Sequence, residues 1–392
     1  MTELTLSGTV VYGDEFEERA GYVIIEDGKL KEIGDGQIES AVEGIIIPSF
    51  VNAHTHIGDS VAKEPDFMPL EHLVGPGGYK HKILGETSHE TLVFAMSDAI
   101  ADIFATGTQM FADFREGGIS GLRALGEAFD LAGGHEKLSI KSFGRPTAGM
   151  KELRITNYEL RIGDDGSEMI GEAKRGDEDI NGLFEAGDGI GLSSVADYPQ
   201  ADLKFLADDT KRRGKIFALH AGERNAEDIS GALELEPDFI VHLIHASQQD
   251  FTRMHDLDIG AVVCIRSNLV TGMGLPPLPQ MLESGLTVGV GTDNVMLNSP
   301  NMFSEQEFIA KIFRLDEREV LKMCTLNSAK ILNEEKFMGS IEEGKKANLL
   351  VIRNDTPNMR NVRHSIRGVV RRATRDDIAA IVHEGAIVKL GC

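Results

Sequence analysis

Eight short apolar runs recur from Gly44 to Asp293, and most of them are followed by sequence of helical character. They are Gly44 to Ala53 leading into His54-Thr55-His56, Thr108 to Phe114, Leu138 to Phe143, Gly189 to Ser194, Lys215 to His220, Asp238 to Ile244, Gly260 to Ile265 and Leu286 to Asp293. Strands separated by helices pair in parallel, because a crossover returns the chain to the same end of the sheet. Eight such units over this length predict an α/β chain folded as a (β/α)8, or TIM, barrel. Helix punctuation agrees. Ser88 caps a helix through about Thr106 with Gly107 as its stop, and a second helix runs from about Ser120 to Leu131. A capping box, Asp316 with Glu319, opens another that reaches Leu332.

The ends of the chain have a different texture. Leu4 to Val11 and Gly21 to Ile33 read as strands, with Asp27-Gly28 as a hairpin turn. Ala347 to Ile352 and Ile381 to Val388 repeat that texture at the other end. The expected division is therefore a barrel over residues 48–339 and a β-rich module from 1–47 plus 340–392. Residues 151–184, polar and Gly-rich, are expected as a surface hairpin or flexible excursion near the mouth of the barrel.

The 392 residues carry a formal net charge of −23, which disfavours nucleic acid and anionic membrane as partners. Cys264, Cys324 and Cys392 are odd in number and far apart, so they form neither a disulfide framework nor a Cys-x-x-Cys metal site. No signal-peptide pattern and no bilayer-length apolar run is visible, and a cytoplasmic protein is expected.

Barrel enzymes hold their chemistry at the C-terminal strand ends, where this chain concentrates ionisable residues. His54 and His56 share one side of the first strand, since side chains alternate with a period of two. His220 ends the fifth strand, His242 lies on the sixth and Asp293 ends the eighth. His54, His56, His220 and Asp293 offer nitrogen and oxygen ligands suited to one Zn²⁺, with Fe²⁺, Ni²⁺ or Mn²⁺ also compatible. Such an ion lowers the pKa of a water molecule and so supplies a nucleophile near neutral pH. Glu223, just past His220, is placed to move a proton as general acid/base, and His242 is the candidate second base. His245 is the runner-up, on the opposite face of its strand.

These motifs resemble the amidohydrolase superfamily, in the branch of cytosine, guanine and S-adenosylhomocysteine deaminases and chlorohydrolase-like enzymes. Pro48 to His56 resembles the first metal motif, and His220-Ala221-Gly222-Glu223 the His-Ala-x-Glu motif. His242 falls at the strand-six catalytic histidine, Arg266-Ser267-Asn268 resembles the strand-seven Ser-Asn turn, and Gly291-Thr292-Asp293 the strand-eight metal motif. Ser340 to Leu349 resembles the return into the β module. The resemblance implies a barrel with a small β-sandwich built from both termini. Members with two metals carry a lysine at the end of strand four; Gly191-Leu192-Ser193-Ser194-Val195 has none, so a single ion is expected. Lys141, on strand three, reads as structural.

Arg115, Arg145 and Arg266 each follow a strand at the catalytic end and are candidates to hold an acidic substrate group, against the alternative of internal salt bridges. The loop Gly75 to Lys82 is expected to cover the mouth, with His72, His81 and His89 solvated. Asn298-Ser299-Pro300-Asn301 is expected in the pocket wall, and the loop Phe114 to Gly118 matches no substrate motif. The reading is a metal-dependent aminohydrolase of an amino-substituted heterocycle such as a purine, pyrimidine or nucleoside, with self-association left open. The rivals are a cyclic amide hydrolase of the imidazolonepropionase type and a non-catalytic scaffold.

Overall fold

The computed structural model describes residues 3–146, 160–162, 168–170 and 180–390. Eight parallel strands form the central sheet: Phe50–His56, Thr108–Arg115, Ser139–Gly144, Gly189–Leu192, Ile216–Ala221, Phe239–His242, Gly260–Val263 and Val288–Val290. Each pairs with the next in chain order. Past the eighth strand, Asp293 and Asn294 pair in parallel with Thr55 and His56, bringing the last strand end against the first. Asn52 reinforces that seam, donating to Thr292 Oγ1 and accepting from the Thr292 amide. The sheet thus curls into an α/β barrel, and its strand residues are almost all buried because helices cover one face and side chains fill the interior.

Local signals hold where they were strongest. The helix His89–Ala105 is capped by Ser88, which accepts from the Thr91 amide, and Gly107 follows it with a positive φ of 88°. The next helix begins two residues early, at Gly118, because Gly117 also takes a left-handed φ of 88° and turns the chain into it. The capping box at Asp316 does not form: Asp316 accepts from the Arg318 amide at 2.8 Å, while Glu319 leans toward Lys322 at 3.8 Å. That helix spans Glu317–Ile331 with a π-helical stretch at Met323–Asn327. Of the 151–184 segment, Leu160–Ile162 pairs antiparallel with Glu168–Ile170, and a helix begins at Ile180. The rest of that excursion lies outside the described residues.

Both termini build one continuous seven-stranded sheet: Ala386–Leu390, Ile378–His383, Leu349–Ile352, Val42–Pro48, Glu3–Tyr12, Glu17–Glu26 and Lys29–Asp35, in that order. Asp27 and Gly28 close one hairpin with φ of 48° and 80°, the double positive φ of a type I′ turn. Strand alternation splits the apolar residues between two faces. Leu6, Val10, Val23, Ile25, Ile46, Leu349, Val351 and Val382 form the sheet's own core. Ile45, Ile47, Leu350, Ile352 and Ile381 share the larger core with Phe50, Phe303, Ile366 and Val369 on the barrel side. Burial on both faces is why these strands read as unbroken apolar runs. Among the described residues no helix is long and apolar enough to cross a membrane.

Candidate metal centre and active-site cleft

The pairing of the first strand with the second is irregular between Asn52 and Thr55. Val51 and Ala53 face the apolar barrel core, whereas His54 and His56 turn together into the cleft, the re-aiming that a bulge produces. Gly291 makes room for them, since a Cβ there would sit 2.6 Å from His54 Cβ. His220 Nε2 lies 3.1 Å from His54 Nε2 and 3.4 Å from His56 Nε2. Asp293 Oδ1 lies 3.4 Å from His54 Nε2 and 3.7 Å from His56 Nε2. A tetrahedral ion with Zn–N distances near 2.0–2.1 Å has ligand–ligand edges of about 3.3–3.4 Å, which matches these separations.

The tautomers make the same point. His56 Nδ1 donates to the Phe114 carbonyl at 3.0 Å, and His220 Nδ1 donates to the Leu192 carbonyl at 2.8 Å. Each ring then directs an Nε2 lone pair at the other with no proton between them, the arrangement of metal-binding histidines whose second nitrogen is anchored to a carbonyl. Protonation does not relieve the clash. Burial, aided by Lys80, pushes His56 down to about 3, and burial likewise lowers His54 and His220. A cation does relieve it. Burial alone would raise Asp293, but its hydrogen bond with His54 and the surrounding histidines outweigh that and keep it ionised. Its other oxygen accepts from Ser267 Oγ at 2.6 Å.

Two further groups face the cluster. His242 Nδ1 donates to Asn268 Oδ1 at 3.0 Å, leaving Nε2 toward Glu223 Oε2 at 3.6 Å. Burial, reinforced by the Asp293 charge, raises the Glu223 carboxyl and lets it carry a proton closer to neutral pH. His242 and Asp293 hold left-handed backbone conformations, φ 78° and 59°, unusual for residues other than glycine. Such strain concentrates where side chains must be aimed. His245 is exposed and turned away.

The three arginines part company. Arg115 is fully buried, with its guanidinium against Glu116 at 2.6 Å, Asp113 at 3.5 Å and Met96 Sδ at 3.2 Å. Arg266 is bound to Glu305 at 2.7 Å and to the Ser299 carbonyl at 2.5 Å. Neither is among the residues lining the cleft, and buried carboxylates occupy their forks. Arg145 does line it, with Nη1 3.6 Å from Glu116 and Nε 3.4 Å from the Gly191 carbonyl. The Asn298–Asn301 expectation is corrected. Ser299 serves Arg266 and Asn301 caps the helix Met302–Phe313, while Asn294 is the residue that reaches the cleft. Lys141 pairs with Glu334 at 2.6 Å.

Sequence reasoning missed Lys80 and Glu116. Lys80, only 4 % exposed, bonds Glu116 at 2.7 Å and Asn294 at 3.2 Å, and Glu116 Oε1 stands 3.1 Å from His56 Nδ1. Burial would raise Glu116, but Lys80, His56 and Arg115 together hold it well below the usual carboxylate range. The only sequence signal was negative, an unmatched loop at Phe114–Gly118. The loop Gly75 to Lys82 contributes Lys80 and His81 to the cleft, as a cover would; His81 is an exposed rim residue, and His72 and His89 are exposed.

An uncharacterized protein of Methanocaldococcus jannaschii is 33% identical over 399 residues, covering 96% of each chain. The 5-methylthioadenosine/S-adenosylhomocysteine deaminase of Thermoanaerobacter pseudethanolicus is 25% identical over 405 residues, covering 93% of this chain and 88% of its own. The crystal structure of a zinc-bound adenosine deaminase from Xanthomonas campestris superposes with a TM-score of 0.75 at 17% identity, over 99% of this chain and 93% of that one. The model of the amidohydrolase family matches residues 45–388, and the protein belongs to that family, as a hydrolase acting on C–N bonds.

Proposed function

We propose that this chain is a metal-dependent aminohydrolase that deaminates an amino-substituted heterocycle, such as a purine, pyrimidine or nucleoside. The observation that carries the reading is the convergence of His54, His56 and His220 Nε2 with Asp293 Oδ1 beside Glu223 and His242. The names of the deaminase relatives support it. In this reading those four residues hold one divalent ion, Zn²⁺ first; among the described residues the end of the fourth strand carries Leu192 and Ser193 and no lysine. When bound, the ion supplies Lewis-acid activation of water. Glu223 delivers a proton to the ring nitrogen next to the amino-bearing carbon. His242, its tautomer set by Asn268, accepts the proton of the attacking water and, with Asp293, steadies the tetrahedral carbon. The hydroxyl proton of the tetrahedral carbon passes to the amino group, ammonia leaves, the carbonyl product remains, and the proton held by His242 returns to Glu223. The same reading divides the chain into a barrel, 48–339, and a β-sandwich module, 1–47 with 340–392, supported by the separate apolar core of the terminal sheet. The buried free thiols Cys264 and Cys324 suit a reducing cytoplasm.

The test is an ammonia-release screen of purines, pyrimidines, pterins and nucleosides on the metal-loaded protein, with saturable release expected for one class. A new titratable carboxylate without ammonia would make the enzyme a cyclic amide hydrolase, and full metal occupancy with no turnover would make it a scaffold. Glu223→Gln should retain the metal and lower kcat by about 10²–10⁴. Full activity in that variant would remove Glu223 from the proton-transfer role.

A further inference from the structure

Among the described residues the acidic chain has a strongly basic cavity whose wall shares no residue with the cleft. Seven arginines fall between Arg353 and Arg375. Among the described residues, a cavity of about 670 Å³ is lined by Lys311, Arg360, Arg363, Arg367, Arg371 and Arg372, with no Asp or Glu in its wall. The carboxylates nearby do not balance this charge. Glu317 pairs with both Arg367 and Arg371, and Glu307 with Lys311. Arg372 is held by the carbonyl and the side-chain oxygen of Asn358, and Arg360 by the Asp355 carbonyl. Glu18 accepts from the Ser365 and Ile366 amides, outside the wall. Among the described residues Arg360, Arg363 and Arg372 therefore lack a carboxylate within salt-bridge distance, and Arg371 Nε is buried without a hydrogen-bond partner.

These side chains are mostly exposed and reach a shared opening, where guanidinium forks match phosphate oxygens in pairs. We propose that this cavity binds a small molecule carrying two or more phosphate groups. Its volume lies within the roughly 300–1,000 Å³ of small-ligand sites. The net charge of −23 for the chain as a whole argues for a compact anion and against a nucleic-acid track. The cavity sits between the helices Ser365–Arg371 and Met302–Phe313, and the latter carries Glu305, the partner of Arg266.

Inorganic tripolyphosphate is the probe, titrated calorimetrically into the full, metal-loaded protein, with ATP and a short single-stranded RNA in parallel. Saturable micromolar binding of tripolyphosphate is expected, weakened at least tenfold in Arg363→Gln/Arg372→Gln and unchanged in Arg123→Gln, a substitution elsewhere. The paired variant should keep its melting temperature and its metal content. Equal or tighter binding of ATP supports the site and adds a base contact. No saturable binding up to millimolar probe, equal affinity in the paired variant, or RNA bound far more tightly than tripolyphosphate would each overturn the proposal.

Discussion

The histidine cluster and the arginine network beside it are buried alike at the same end of the barrel, yet they resolve their polar valences in opposite ways. Arg115, Lys80, Asp113 and Glu116 neutralise one another within the protein. His56 and His220, whose Nδ1 atoms donate to carbonyls, instead aim Nε2 lone pairs at a shared point beside His54 that no protein group among the described residues fills. A set of charges that closes on itself is scaffolding, because removing one member strands its partner in a low-dielectric interior. A set that stays open asks for something from outside. The difference also accounts for the arginines: Arg115 and Arg266 look like ligand-binding forks in the sequence and are spent on Glu116 and Glu305 in the fold.

The largest effect expected from this contrast is on metal binding. His220→Ala should weaken metal binding by more than the roughly 10–100-fold that losing an outer partner costs, with activity lost in step. The metal-free variant should unfold within about 1 kcal/mol of the metal-free parent, since a crowded lone pair is removed with the ring. Chelator competition and urea unfolding measure the two quantities, and global destabilisation of the metal-free variant would break the comparison. Arg115→Met should do the reverse, destabilising the fold by about 3–5 kcal/mol through the uncompensated Asp113 and Glu116. Urea unfolding no different from the parent would show that the network is not self-sufficient.

The smallest effect sharpens the boundary of the network at Asp59. Burial raises its carboxyl to about 7, with Lys80 only partly offsetting, and its Oδ2 has no hydrogen-bond partner. The folded state therefore holds this proton more tightly than the unfolded chain, whose carboxyl titrates near 3.8. The associated stability is fully present below that value and is lost as pH rises toward 7, with a slope of at most about 1.4 kcal/mol per pH unit. Asp59→Asn should flatten the stability profile between pH 5 and 7. Parallel profiles for parent and variant, measured by urea unfolding at four pH values, would contradict the assignment.

How far the chain could be read from its letters follows the same division. His54 and His56 were legible as a pair because a strand's period of two is local, and the helix from His89 was legible because Ser88 and Gly107 mark its ends within one turn. The irregular register between Asn52 and Thr55 is a property of pairing with the second strand, which no local pattern records. Lys80 and Asn294 meet across 214 residues, so nothing near either one announces the contact. The Ser-Asn turn was visible as a motif, but that Ser267 steadies Asp293 and Asn268 sets the His242 tautomer depends on three strand ends meeting.

By itself the sequence determined the order of strands and helices, the apolar faces that bury them and the set of ionisable residues at the strand ends. All of these rest on interactions within a few residues. Tertiary structure alone decided which nitrogens converge and which arginines are already neutralised. His54 reaches His220 across 166 residues and Arg266 reaches Glu305 across 39, contacts that exist only once the curled sheet and its helices have set every strand end against its neighbours.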